Sequence, residues 1–211
     1  MADSLPIGIP LAAGAEEDHM TFVFARVARA AAVLAAAVAM SLPLGAGRMT
    51  REWLSEDPPG RRRVAMLRDW LATEMSEAGA AIQAAGTPDL AVATSKTFRS
   101  LARLTGAAPS GAGPRVKRTL TASGLRQLIA FISRMTTADR AELEGVSAER
   151  APQIVAGALV AEASMKALGI ETVEICPWAL REGLILRKLD SEADGTALVE
   201  TIPATPKGKT R

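Results

Sequence analysis

The 211-residue chain contains one cysteine, one histidine and no asparagine, and only 3% of its residues are aromatic. Each scarcity excludes a class of chemistry. A lone cysteine, Cys176, rules out an internal disulfide and fits a reducing, cytoplasmic compartment. It lies between an apolar segment and Pro177, where a buried, inert thiol is expected rather than a nucleophile. His19, the lone histidine, sits in an irregular stretch without Cys or His neighbours, which argues against a zinc site or a Ser-His-Asp triad built on it. The absence of asparagine excludes N-glycosylation. Charge is nearly balanced, with 25 Lys and Arg against 23 Asp and Glu and a formal net charge of +2; this is no footprint for nucleic acid. The available chemistry is therefore that of carboxylates, hydroxyls, backbone amides and basic side chains.

What is present is apolar residues, 48% of the chain, enough to bury a substantial core. The most structured stretch runs from Glu149 to Leu186. Ile154, Ala158, Ala161, Met165 and Leu168 recur at helical spacing and predict one buried stripe. Gly169 suits the left-handed position that ends a helix. Val173 and Ile175 then alternate with Thr172 and Glu174, the period of a strand. Pro177 breaks that strand, and Trp178 to Gly183 opens another helix. Gly157, in mid-helix, costs about 1 kcal/mol against alanine, which predicts another backbone packed against it.

Elsewhere, residues 1–21 read as a loop. Phe22 to Met40 is an alanine-rich apolar run behind Arg26 and Arg29. Its basic part is too far from the start, and behind too many acids, for a signal peptide, and its uninterrupted apolar part, Ala30–Met40, is well short of the ~20 residues a membrane span needs. A buried helix or strand is expected there, with no membrane partner. Ser41 to Thr50 reads as a strand end running into a glycine-containing turn. After Pro58-Pro59-Gly60, a long helix is predicted from Arg61 to about Ala85, with Val64, Leu67, Leu71, Met75, Ala78 and Ile82 inward. Asp89 to Thr94 reads as a short buried strand, and Ser95-Lys96-Thr97 as the opening of a helix to Leu104. A strand, a hydroxyl-rich turn and a helix start make a generic anion site, although Ser95 serves equally as an ordinary cap. Residues 105–118 form a Gly/Pro/Ser loop ending in Arg115, Lys117 and Arg118. A helix follows from about Thr121 to Met135, then a short one capped by Thr136 and Asp139. After Asp190, with Pro203 and Pro206, a disordered tail is expected.

Strands alternating with helices imply an α/β fold with a small, mostly parallel sheet and many helices. Ligands in such sheets gather at the carboxyl ends of strands, which places Thr94–Thr97, Gly45–Arg48 and the Pro177 turn on one candidate rim.

Three segments carry a family resemblance. Ser41-Leu-Pro-Leu-Gly45-Ala-Gly-Arg48-Met-Thr50 resembles the stretch that follows the phosphate-binding glycine hairpin in exopolyphosphatases and guanosine-pentaphosphate phosphatases, the Ppx/GppA family. Ala93-Thr-Ser-Lys-Thr97 is similar to that family's Gly-Thr-Ser-Gly-Thr loop, and Leu180-Arg-Glu-Gly183 to its carboxy-terminal hallmark. The resemblance covers residues 41–189 and is greatest to the short, two-domain actinobacterial members. It implies the actin-like, ribonuclease H-type fold, here its second domain, and a hydrolase acting on polyphosphate or guanosine pentaphosphate with Mg²⁺. It implies phosphate binding by Thr94, Ser95, Lys96, Thr97, Gly45 and Arg48.

The sequence departs from the family pattern in two respects. No Asp-x-Gly-Thr-Asn-Ser stretch occurs, and no Asp-Ile-Gly-Gly-Gly-Ser hairpin precedes Ser41, so the family's first-domain phosphate loops and catalytic glutamate have no counterpart. Ala93 and Lys96 stand where the family has glycine. Residues 1–40 are accordingly expected to be an unrelated leader, 41–189 the second domain and 190–211 a tail. Among carboxylates, Glu142 and Glu144 do not share a helix face, while Glu149, Glu162 and Glu182 are isolated, so no catalytic residue is nominated. The expectation is an exopolyphosphatase-type chain with impaired catalysis. Its alternative is a non-catalytic phosphate-binding or interaction module, partnered by a second copy or by a missing first domain.

Overall fold

Eleven of the fourteen residues in the helix Ile154–Ala167 are buried, and four other helices pack around it. In this computed structural model the described residues are 20–28, 33–86, 88, 90–177 and 185. The element order is β1 (Met20–Ala28), β2 (Val33–Leu42), α1 (Ala46–Trp53), α2 (Arg61–Ala84), β3 (Val92–Ala93), α3 (Lys96–Leu104), β4 (Thr119–Thr121), α4 (Ala122–Ile132), α5 (Thr137–Ala141), α6 (Ile154–Ala167) and β5 (Thr172–Ile175).

The predicted stripe on α6 holds at Ile154, Ala158, Ala161 and Met165, while Leu168 is its half-buried C-cap, yet the stripe understates the helix. Val155, Ala156, Leu159, Val160 and Ala163 are buried as well, and a helix that is apolar on all sides belongs inside a core. Helices α1, α2, α3 and α4 all pack on it. Small residues make this possible, because Ala and Gly let several neighbours approach one axis closely. Gly169, at φ +66°, closes the helix as expected. Its N–H donates to the Lys166 carbonyl (3.2 Å) and that of Ile170 to Met165 (2.8 Å), satisfying two carbonyls that a helix end leaves open.

The inward side chains of α2 match the predicted set from Val64 to Ile82. Thr136 and Asp139 form the predicted capping box on α5. The sheet differs from expectation in sense. β5 is its central strand; β3 runs parallel to it and β4 antiparallel, so the mostly parallel sheet is in fact mixed. Strand β4 falls between the loop expected at 105–118 and the helix expected from about Thr121, and its three residues are too few to show a period. The apolar run Phe22–Met40 takes the strand alternative, with β1 and β2 paired antiparallel as a hairpin. The segment read as a turn after Ser41 is instead α1, with Gly45 at its N-cap.

Cys176 is half-buried, not buried as expected. His19, the Leu180–Gly183 motif and residues 190–211 lie outside the described residues.

Candidate phosphate-binding rim

Three chain segments meet beyond the carboxyl ends of β3 and β5. The Cys176 N–H donates to the Ala93 carbonyl at 2.9 Å, the last bond of the parallel ladder. Past that row, β3 continues into Thr94–Thr97 and β5 into Cys176 and Pro177, so these two predicted rim segments do lie side by side.

The third segment, Gly45–Arg48, arrives through α6. A β-carbon placed on Gly157 would lie 2.6 Å from the Thr97 methyl carbon and 3.2 Å from the Ala46 β-carbon. Gly157 thus sits where the first turns of α1 and α3 both touch α6. Sequence reasoning expected a close backbone there; the close neighbours are two side chains, and both belong to the candidate site. The absent side chain lets two helix N-termini converge.

Each N-terminus exposes backbone N–H groups without intrahelical acceptors. Neither α1 nor α3 has an acid in its first turn. Arg48 stands in the first turn of α1, and Lys96, exposed, is the first residue of α3. Cations there oppose the helix dipole by about 0.3–1 kcal/mol each, a cost that a bound anion reverses. Ser95 is the N-cap of α3, its hydroxyl accepting the Phe98 N–H at 3.1 Å. That bond leaves the hydroxyl proton to donate elsewhere. Arg48 is engaged, with its Nε donating to Glu52 Oε1 at 2.7 Å one turn along α1. On the same helix as Lys96, the buried Nε of Arg99 has no hydrogen-bond partner. Lys96 is helical and Ala93 is in a strand, so neither backbone conformation demands the glycine found in the family loop.

Carboxylates are committed. On the elements that meet at the rim, the described carboxylates are Glu52, Glu162 and Glu174, bound by Arg48, Arg68 and Lys117 respectively. Glu144 pairs with Arg103, whose guanidinium holds that carboxyl below its ordinary value. Among the described residues no group of three His, Cys, Asp or Glu side chains converges to hold a metal ion.

A second hollow of about 350 Å³ lies at the other end of α1, lined by Thr50, Arg51, Asp57, Thr137 and Arg140 among others. Arg140 is 2% exposed. Its Nη2 donates to Asp57 Oδ1 at 2.7 Å and to the Thr137 hydroxyl at 3.0 Å. Asp57 and Arg140 in this hollow are thus spent on each other.

The fold recurs in solved Ppx/GppA proteins of actin-like fold. The chain superimposes on the Ppx/GppA phosphatase of Aquifex aeolicus with a TM-score of 0.69 at 20% identity, covering 82% of this chain and 54% of that one. An exopolyphosphatase from Cytophaga hutchinsonii gives a TM-score of 0.65 at 16% identity, covering 86% and 55%. At those identities the likeness shows the fold. The family follows from sequence: residues 35–192 match the Ppx/GppA phosphatase family, and the chain belongs to it. It is 80% identical over 172 residues to exopolyphosphatase 1 of Mycobacterium leprae, which is 82% of this chain and 51% of that protein. It is 84% identical over 164 residues to exopolyphosphatase 1 of Mycobacterium tuberculosis, covering 78% and 48%. The chain spans about half the length of these curated relatives. Among the described residues, no helix is long and apolar enough to cross a membrane.

Proposed function

We propose that this chain serves the removal of phosphate from a phosphoanhydride chain, inorganic polyphosphate or guanosine pentaphosphate, by holding the phosphates at the rim. The observation that supports this reading is the junction at Gly157, which gathers the first turns of α1 and α3. Backbone N–H groups of both helices, the hydroxyls of Thr94, Ser95 and Thr97, and the charges of Lys96 and Arg48 are the groups that hold the anion. Phosphoryl transfer asks mostly for positioning and charge neutralisation, and these groups supply both. For Arg48 to join, a phosphate must compete with Glu52, an exchange open to an exposed pair worth about 0.3–0.5 kcal/mol.

Hydrolysis by the chain alone is weak in this reading. The described carboxylates on the rim elements are all ion-paired, and a base must be unengaged to take a proton from water. That commitment favours a second reading, a module that binds phosphate chains without cleaving them. Both are tested with the purified chain, with and without Mg²⁺, by phosphate release from polyphosphate and by calorimetric binding. Binding with slow or absent release fits phosphate holding. Release abolished by Thr97→Ala in a folded protein supports a complete site. Failure to bind any phosphate chain sinks both readings.

A further inference from the structure

Strand β4 changes which residues share the rim. The Ile175 N–H donates to the Arg118 carbonyl at 2.8 Å, next to the bond from Cys176 to Ala93. One row across the sheet therefore reads Ala93, Ile175, Arg118. β3 and β5 leave that row toward Thr94 and Cys176. β4 is antiparallel and enters it from the same side, from Lys117. The loop before β4 consequently stands at the same end of the sheet as Thr94–Thr97.

That loop is fastened by one side chain. Arg118 is only 9% exposed. Its guanidinium donates to the carbonyls of Ala108 (2.8 Å), Pro109 (2.6 Å), Gly113 (3.1 Å) and Val116 (3.0 Å). The rigid five-donor fork of arginine suits such a task, and a lysine could not hold four carbonyls at once. No carboxylate among the described residues pairs with Arg118. Arg115 is exposed and lies between Gly113 and Val116, two of the positions that Arg118 grips. It too has no carboxylate partner among the described residues. Lys117, by contrast, is offset by Glu174 at 2.8 Å.

We propose that Arg115, presented by the loop that Arg118 fastens, is a distal subsite for a linear phosphate chain. It engages phosphates beyond those held at Thr94–Thr97 and so favours long chains over short ones. This rests on the phosphate-holding reading above. A linear polyphosphate repeats its charge along its length, and each additional cation it meets adds binding and releases counterions. A two-phosphate anion seated at the helix starts gains nothing from a distant arginine.

The test titrates the 211-residue chain with pyrophosphate and with long polyphosphate, the latter expressed per chain end, at two salt concentrations. Arg115→Gln is expected to weaken long-chain binding by about tenfold, the loss of one charge-assisted hydrogen bond, and to flatten its salt dependence. Pyrophosphate binding stays unchanged, which also shows the variant folded. Arg118→Lys, which keeps the charge but loses the grip on the loop, follows the same pattern. Lys166→Gln, in the last turn of α6, changes neither ligand. Equal loss for both lengths, or no loss for either, overturns the distal subsite while phosphate holding stands. A parent chain that binds neither anion overturns both.

Discussion

The methyl carbon of Thr97 and the α6 backbone at Gly157 are so close that a β-carbon on Gly157 would sit 2.6 Å from that methyl. A side chain of the candidate phosphate loop thus packs directly on the central helix of the core. Ala46, at the start of α1, packs on the same spot. The spacing of the two helix starts is consequently set by what Gly157 lacks.

Gly157→Ala therefore sets two effects against each other. Alanine gains about 1 kcal/mol in helix propensity, and overpacking costs about 1–3 kcal/mol. Because both neighbours are short side chains on helix starts, the clash wins. Urea unfolding is expected to show a net loss of about 1 kcal/mol, with weakened pyrophosphate binding. Thr97→Ser removes the offending methyl, so it should cost less in the Gly157→Ala background than in the parent, a coupling that a double-mutant cycle measures. Additive effects would mean that the contact is not strained by the new methyl.

Thr97 itself separates packing from binding. Thr97→Val keeps the methyl against Gly157 and removes the hydroxyl; Thr97→Ser does the reverse. If the hydroxyl holds phosphate, valine weakens pyrophosphate binding by roughly tenfold, the value of one hydrogen bond to a charged group, and serine leaves it close to the parent. Calorimetry in which serine is the worse variant would reduce Thr97 to a packing residue.

Asp57 joins the loop after α1 to α5. Burial pushes its carboxyl up, but bonds from Thr137 and the charge and hydrogen bond of Arg140 outweigh this and hold it below the ordinary carboxylate value. A carboxyl depressed in the folded state contributes stability that is full above the unfolded value and lost as pH falls through the folded one. Acid unfolding should therefore begin below the ordinary carboxylate range, and Asp57→Asn should flatten that limb of the stability profile. At neutral pH, Asp57→Ala strands the buried Arg140 and should cost about 2 kcal/mol, less than the 3–5 of a fully buried pair, since Asp57 is partly exposed. An unchanged denaturation midpoint would contradict this.

Gly79, on α2, meets the far end of α6, where an added β-carbon would lie 2.6 Å from the Ala167 carbonyl oxygen. That atom is backbone and cannot swing aside. Gly79→Ala should destabilise by about 1–3 kcal/mol and, being remote from Thr97, leave affinity for pyrophosphate unchanged in whatever fraction stays folded. Thermal unfolding together with calorimetry checks both halves.

Elements with a long period were legible in the residues. The inward face of α2 spans seven buried positions from Val64 to Ile82, enough turns for the period to stand out. The stop at Gly169 and the cap at Thr136 were legible for a similar reason, since each depends on a few adjacent residues. The candidate loop Thr94–Thr97 could be found because a strand, a hydroxyl and a helix start follow one another in the chain. Two elements gave no such signal: β4 has only three residues, and α1 was hidden behind a glycine-rich start that reads as a turn.

The chain's local chemistry thus determined its long helices, their caps and, through three short motifs, the family it belongs to. Tertiary structure decided which of those pieces work together. Whether Gly157 packs on backbone or on side chains, whether Arg48 is committed to Glu52, and whether the Arg115 loop stands at the rim or away from it all depend on long-range pairing. Sequence periodicity reports only which face of an element is buried. The partner on that face, and the strand direction that brings a distant loop alongside it, are settled only when the whole core closes around α6.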